Sequence, residues 1–128
     1  MAPTSVRYIV DDVSAAVAFY TTYLGFVVYI DARPAFVAVT RGDLRLLLSG
    51  EASSGGRTLP DGRKPAPGGW NRIVFQVEDL AGELGRLRAA GLHFRSDIVT
   101  GPGGAQVVLD DPSGNPIELF QPARVAAV

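Results

Sequence analysis

The spacing of apolar residues changes period several times along the chain. Residues 6–10 form a short β-type run that stops at Asp11 and Asp12. Beyond it Val13, Val17, Tyr20 and Leu24 recur at intervals of four, three and four, which places them on one face of a helix. Asp12 is suited to cap that helix and Gly25 to stop it. Three strand-like runs follow at 26–30, 36–40 and 44–48. The last two are joined by Arg41, Gly42 and Asp43, a tight hairpin connection. The first half of the chain therefore reads βαβββ.

Residues 49–70 change character to Gly, Ser, Pro and charge, the composition of a connecting loop. The earlier plan then recurs. A run at 72–77 ends at Glu78 and Asp79, apolar positions Leu80, Leu84 and Leu87 share a helix face, and Gly91 closes it. Strand-like runs at 93–98, 105–109 and 116–121 complete the set, with Asp111 to Asn115 as the last turn. Asp12 matches Asp79 and Gly25 matches Gly91, so the chain is an internal repeat. The expected fold is α+β: one domain over 1–128 made of two βαβββ modules in tandem, at 4–48 and 71–122, with curved mixed sheets enclosing a cavity. One four-stranded sheet with one helix is too small to close a core alone, so two modules should pack together, within a chain or across a dimer.

Strand alternation assigns faces, because the continuous apolar set must lie under the helix. Val6, Tyr8 and Val10 go there, as do Leu44, Leu46 and Leu48, then Ile73, Phe75 and Val77, and finally Ile117 and Leu119. The opposite faces carry Ser5, Arg7 and Ile9, then Arg45, Leu47 and Ser49, then Arg72, Val74 and Gln76, and last Glu118 and Phe120. Such a mixed face suits the wall of a binding cavity with few polar anchors. On the residues alone it serves equally well as solvated surface.

Composition narrows the function classes. Of 128 residues, 47% are apolar and 20% charged, a balance that supports a folded core. Twelve Lys and Arg against thirteen Asp and Glu give a net charge of −1, so no overall field attracts nucleic acid or anionic lipid. The absence of cysteine removes disulfides, thiolate nucleophiles and cysteine-type metal sites. The single histidine, His93, excludes two-imidazole catalysis and HExxH metal binding within one chain, and its place at a strand start favours a structural or surface role. No apolar run reaches the roughly 18 residues of a membrane helix. The opening Met-Ala-Pro-Thr-Ser lacks the features of an export leader, and a cytoplasmic protein is expected.

The paired βαβββ plan, the opening Val-Asp-Asp-Val-Ser-Ala-Ala-Val-Ala-Phe-Tyr through Leu24-Gly25-Phe26, and the closing Asp111-Pro-Ser-Gly-Asn-Pro-Ile-Glu-Leu-Phe-Gln resemble the vicinal oxygen chelate superfamily. That group includes glyoxalase I, extradiol dioxygenases, fosfomycin-inactivating enzymes and bleomycin-resistance binding proteins. In its metal enzymes four cavity-facing positions supply the ligands. The resemblance places those positions on Ser5, Leu47, Arg72 and Glu118, of which only Glu118 is a usual ligand. Leucine offers no donor and arginine repels a cation, so the expected cofactor is none and the expected metal site is absent. Arg72 and Glu118 lie close together in the family fold, and a fork-like guanidinium–carboxylate pair is expected in the vacated centre.

The resemblance thus implies a protein of the bleomycin-resistance type, binding a small aromatic or amphipathic molecule in a metal-free cavity, with antibiotic sequestration as the role. The expected contacts are Ser5, Arg7, Phe36, Arg45, Leu47, Trp70, Arg72, Glu118 and Phe120. Arg7, Arg45 and Arg72 against Glu118 favour an anionic ligand. Trp70, after two glycines, either closes over a planar ligand or anchors the loop. The competing readings are a lyase or dioxygenase that keeps a metal through other donors, a metal-free isomerase using Glu118 as base, and a collapsed domain serving partner contact. A homodimer is expected from the resemblance.

Overall fold

Asp12 and Asp79 each turn the chain from a strand into a helix by accepting a backbone N–H three residues on, from Ala15 and Gly82, both at 3.0 Å. They organise two similar units in the computed structural model, which describes residues 3–124. One unit runs to Gly68 and includes Pro112–Asn115; the other holds Gly69–Asp111 and the chain from Pro116.

The first unit comprises β1 (Ser5–Ile9), α1 (Val13–Tyr23), β2 (Val27–Ala32), β3 (Phe36–Arg41) and β4 (Leu44–Ser49). Its sheet has the order β1-β4-β3-β2, with β1 parallel to β4 and the other pairs antiparallel. The second unit repeats the plan with β5 (Ile73–Gln76), α2 (Leu80–Ala89), β6 (Val99–Gly101), β7 (Gly104–Asp110) and β8 (Pro116–Pro122), in the order β5-β8-β7-β6. This is the expected α+β fold of two βαβββ modules with mixed sheets.

Each core lies between helix and sheet. In the first unit Val13, Ala16, Val17 and Tyr20 are buried with Val37, Val39, Leu46 and Leu48, and Tyr20 meets Phe26 edge to face at 5.5 Å. In the second, Leu80, Leu84 and Leu87 are buried with Phe75, Val107, Leu109, Ile117 and Leu119. Each such aliphatic side chain contributes about 1.5–3 kcal/mol by leaving water. Gly25 (φ 71°) and Gly91 (φ 82°) follow the two helices in the left-handed conformation that ends them. No helix is long and apolar enough to cross a membrane among the described residues.

One strand departs from expectation. Residues 93–98 make a single bridge, Phe94 to Leu109, and the edge strand is instead β6, with Val99 opposite Gln106. At the break a side-chain bond crosses between the segments: the Ser96 hydroxyl accepts the Val108 N–H at 3.2 Å. The second strand of the first unit is also shifted, to Val27–Ala32, because the Phe26 N–H bonds the Tyr20 carbonyl at the end of α1 and its ring is buried.

Candidate functional site

In the first unit the register Ser5↔Arg45, Arg7↔Leu47 and Ile9↔Ser49 sets these six residues side by side on the face away from α1. Phe36 and Ala38 extend that face from β3, opposite Ser49 and Leu47. Ser5 is exposed, while Phe36 and Leu47 are half-buried. Arg45 donates to the Tyr29 hydroxyl at 3.3 Å and stacks on that ring, 4.5 Å from its centre.

Arg7 has a specific engagement. Its Nη1 donates to Ser49 Oγ at 2.8 Å, and its side chain lies so close to Gly55 that a Cβ there would sit 2.5 Å from it. Ser49 is fully buried and its hydroxyl donates a hydrogen bond to the Leu47 carbonyl at 3.2 Å. Beyond it the loop forms a tight turn around buried Ser53, whose hydroxyl donates to Gly50 O at 2.6 Å and accepts from Gly56 N at 3.0 Å. The arginine expected to meet a ligand therefore also clamps the start of the loop.

In the second unit Glu118 stands mid-strand, between Val74 of β5 and Val108 of β7, and is 7% exposed. Arg72 precedes β5 and sends Nε to Glu118 Oε1 at 2.9 Å and Nη2 to the same oxygen at 2.8 Å. Both nitrogens converge on one oxygen, rather than forking across two. Arg72 Nη1 also donates to the Trp70 carbonyl at 3.3 Å. Phe120 is half-buried between Gln76 and Gln106.

Trp70 is 70% exposed and lies against a cluster that the sequence did not single out. The Arg95 guanidinium stacks 4.6 Å from the indole centre, donates from Nε to Asp110 Oδ1 at 2.6 Å, and donates from Nη1 to the Gly69 carbonyl at 2.6 Å. His93 Nδ1 lies 2.8 Å from the other oxygen of Asp110. This gives His93 a surface partner in the fold. The available signal was the alternation of His93 and Arg95 two residues apart, which puts both on one side of an extended segment.

Asn115 was expected only as part of a turn, yet it is buried. Its Nδ2 donates to the Ile9 carbonyl at 2.8 Å and its Oδ1 accepts from Gly68 N at 2.8 Å, while Ser113 Oγ accepts from Asp11 N at 2.8 Å. The amide thus satisfies the end of β1 and the end of the long loop. No three His, Asp or Glu side chains are gathered closely enough to share a metal ion among the described residues.

A family model described as the Glyoxalase/Bleomycin resistance protein/Dioxygenase superfamily matches residues 3–119. The chain belongs to that superfamily. Solved structures similar to this glyoxalase-superfamily chain include a superfamily member from Sphaerobacter thermophilus, at 26% identity and a TM-score of 0.76, covering 94% of this chain and 97% of that one. A lactoylglutathione lyase from Agrobacterium tumefaciens matches at 24% identity and TM-score 0.72, over 92% and 91% of the two chains. An antibiotic binding protein, TnmS3 from a Streptomyces species, matches at 24% and 0.72, over 96% and 99%. No curated protein matches the chain.

Proposed function

We propose that this superfamily member binds a small aromatic or amphipathic anion without a divalent metal, acting by sequestration as an antibiotic-binding protein does. The observation that carries this reading is the use of Glu118: the one ordinary ligand type among the four positions gives Oε1 to two nitrogens of Arg72. An ion taking that oxygen would have to displace a guanidinium and sit beside its charge. Ser5 offers only a hydroxyl, and Leu47 offers nothing.

The ligand class follows from charge and surface. In the first unit Arg45 is a cation stacked on the Tyr29 ring, on the same face as half-buried Leu47, a setting for a planar molecule carrying a carboxylate or phenolate. The neighbour that binds an antibiotic supports the sequestration role. A homodimer is part of the same proposal. Edge strand β2 exposes Val27, Val28, Tyr29 and Ile30 in succession, apolar surface that a second copy would cover.

Metal analysis of protein purified without chelator, combined with thermal-shift screening of antibiotics and aromatic acids, tests the reading. The expected result is no stoichiometric metal and a stabilising anionic ligand, worth about 2.7 kcal/mol at 100 times its dissociation constant. One metal per chain, lost in Glu118→Gln, overturns it and returns a metal-dependent lyase or dioxygenase to first place.

A further inference from the structure

The first unit contains a cavity of about 320 Å³ that none of the four chelate positions lines. Its floor is Ile9 and Val10 at the end of β1, and its wall is the proline-bounded stretch Pro65 to Pro67 of the long loop. Ile9 lies four residues beyond Ser5, about 13 Å at the ~3.3 Å rise of a strand, so this cavity is a separate place on the unit. Its volume falls within the usual range for small-molecule sites, roughly 300–1,000 Å³.

Three charged side chains line it. Lys64 Nζ pairs with Glu51 Oε1 at 2.7 Å, and that pair is neutral overall. Asp11 is the third, and its carboxylate makes no hydrogen bond or ion pair among the described residues, although its N–H is held by Ser113. The lining therefore carries one uncompensated negative charge above an apolar floor with stiff proline walls. A neutral or anionic guest leaves Asp11 without a partner, whereas a cation supplies a charge-assisted hydrogen bond.

We infer that this cavity is a second binding site, for a small organic cation: a protonated amine on an apolar or aromatic body, its ammonium on Asp11 and its body against Ile9 and the prolines. The cavity borders the face described above at Ile9 but is lined by none of the residues expected to contact the anionic ligand, so the inference does not rest on that ligand.

Titration of the full chain with tryptamine, followed by backbone-amide NMR, tests it, with tryptophol and indole-3-propionate as neutral and anionic counterparts of similar shape. Saturable tryptamine binding is expected at millimolar concentration or below, with shifts confined to residues 9–11 and 50–67 and the neutral and anionic probes weaker. Asp11→Asn should weaken tryptamine about tenfold. Lys64→Met, by freeing Glu51, should tighten it several-fold. Both residues are exposed, so neither change threatens the fold. Absence of saturable binding, equal affinity for tryptophol, shifts elsewhere on the chain, or insensitivity to both substitutions overturns the inference.

Discussion

Arg72 commits both Nε and Nη2 to a single oxygen of Glu118, at 2.9 and 2.8 Å, on the face of the second sheet away from α2. The carboxylate side chain is 10% exposed and the arginine side chain 25%, so the pair is largely removed from water. Burying two charges together is nearly neutral, whereas burying one alone is costly.

That asymmetry predicts the outcome of a double-mutant cycle. Arg72→Leu leaves Glu118 without its cation and should cost about 3 kcal/mol, at the low end of the range for a fully buried pair because Arg72 retains some solvent. Arg72→Leu combined with Glu118→Leu should recover most of that loss. Urea unfolding of the four variants measures it; equal loss in the single and double variants would contradict the argument.

A second contrast separates Trp70 from Arg95. The indole is mostly exposed and touches the fold through the stacked guanidinium, so Trp70→Ala should cost less than about 1 kcal/mol. Arg95→Ala leaves Asp110, whose side chain is 14% exposed, with His93 as its remaining side-chain contact named above, and should cost about 2 kcal/mol. Thermal unfolding of both variants checks the order. A larger loss for Trp70→Ala would make the indole a loop anchor.

The two helix caps and the two left-handed glycines were legible in the sequence because each depends on local spacing repeated in two modules, whereas the Arg72–Glu118 pair was expected only through the family resemblance. The convergence on one oxygen was not, since alternation places side chains on a face without orienting their tips. Residues 93–98 read as a strand because their pattern suits one. The Ser96 hydroxyl that bonds across the break there has its partner twelve positions away. The clamp of Arg7 on Ser49 and the roles of Asn115 depend on where residues 49–68 fold, which no periodicity encodes. The cavity beside Pro65 and Pro67 stayed hidden for the same reason.

Two glycines of α2 should respond differently to alanine. Nothing lies near the position of a Cβ on Gly85, so Gly85→Ala should stabilise the protein by about 0.5–1 kcal/mol through helix propensity. A Cβ on Gly82 would strike the Asp79 carboxylate that caps the same helix. Gly82→Ala should therefore forfeit that gain as the cap moves aside. Denaturant midpoints of the two variants decide the matter, and equal stabilisation would mean that the cap tolerates the methyl group.

The pH response of the long loop follows from Glu51. Its hydrogen bond from Lys64, with the attraction of that ammonium, holds the Glu51 carboxyl below its ordinary 4.5. Arg33 does the same for Asp31 through side-chain and backbone bonds, and Arg63 for Asp61 through backbone and side-chain bonds. A carboxyl whose folded value is depressed adds stability above its unfolded value. That contribution fades as pH falls below 4.5 for Glu51, or 3.8 for the two aspartates, and is gone below the lowered folded values. All three pairs are exposed, so the loss is small and should shrink further in high salt. Lys64→Met should return the Glu51 carboxyl toward 4.5 in a carbon-detected NMR titration and flatten the acid limb of the stability curve. An unchanged Glu51 titration in that variant would place the cause of its depression elsewhere than Lys64.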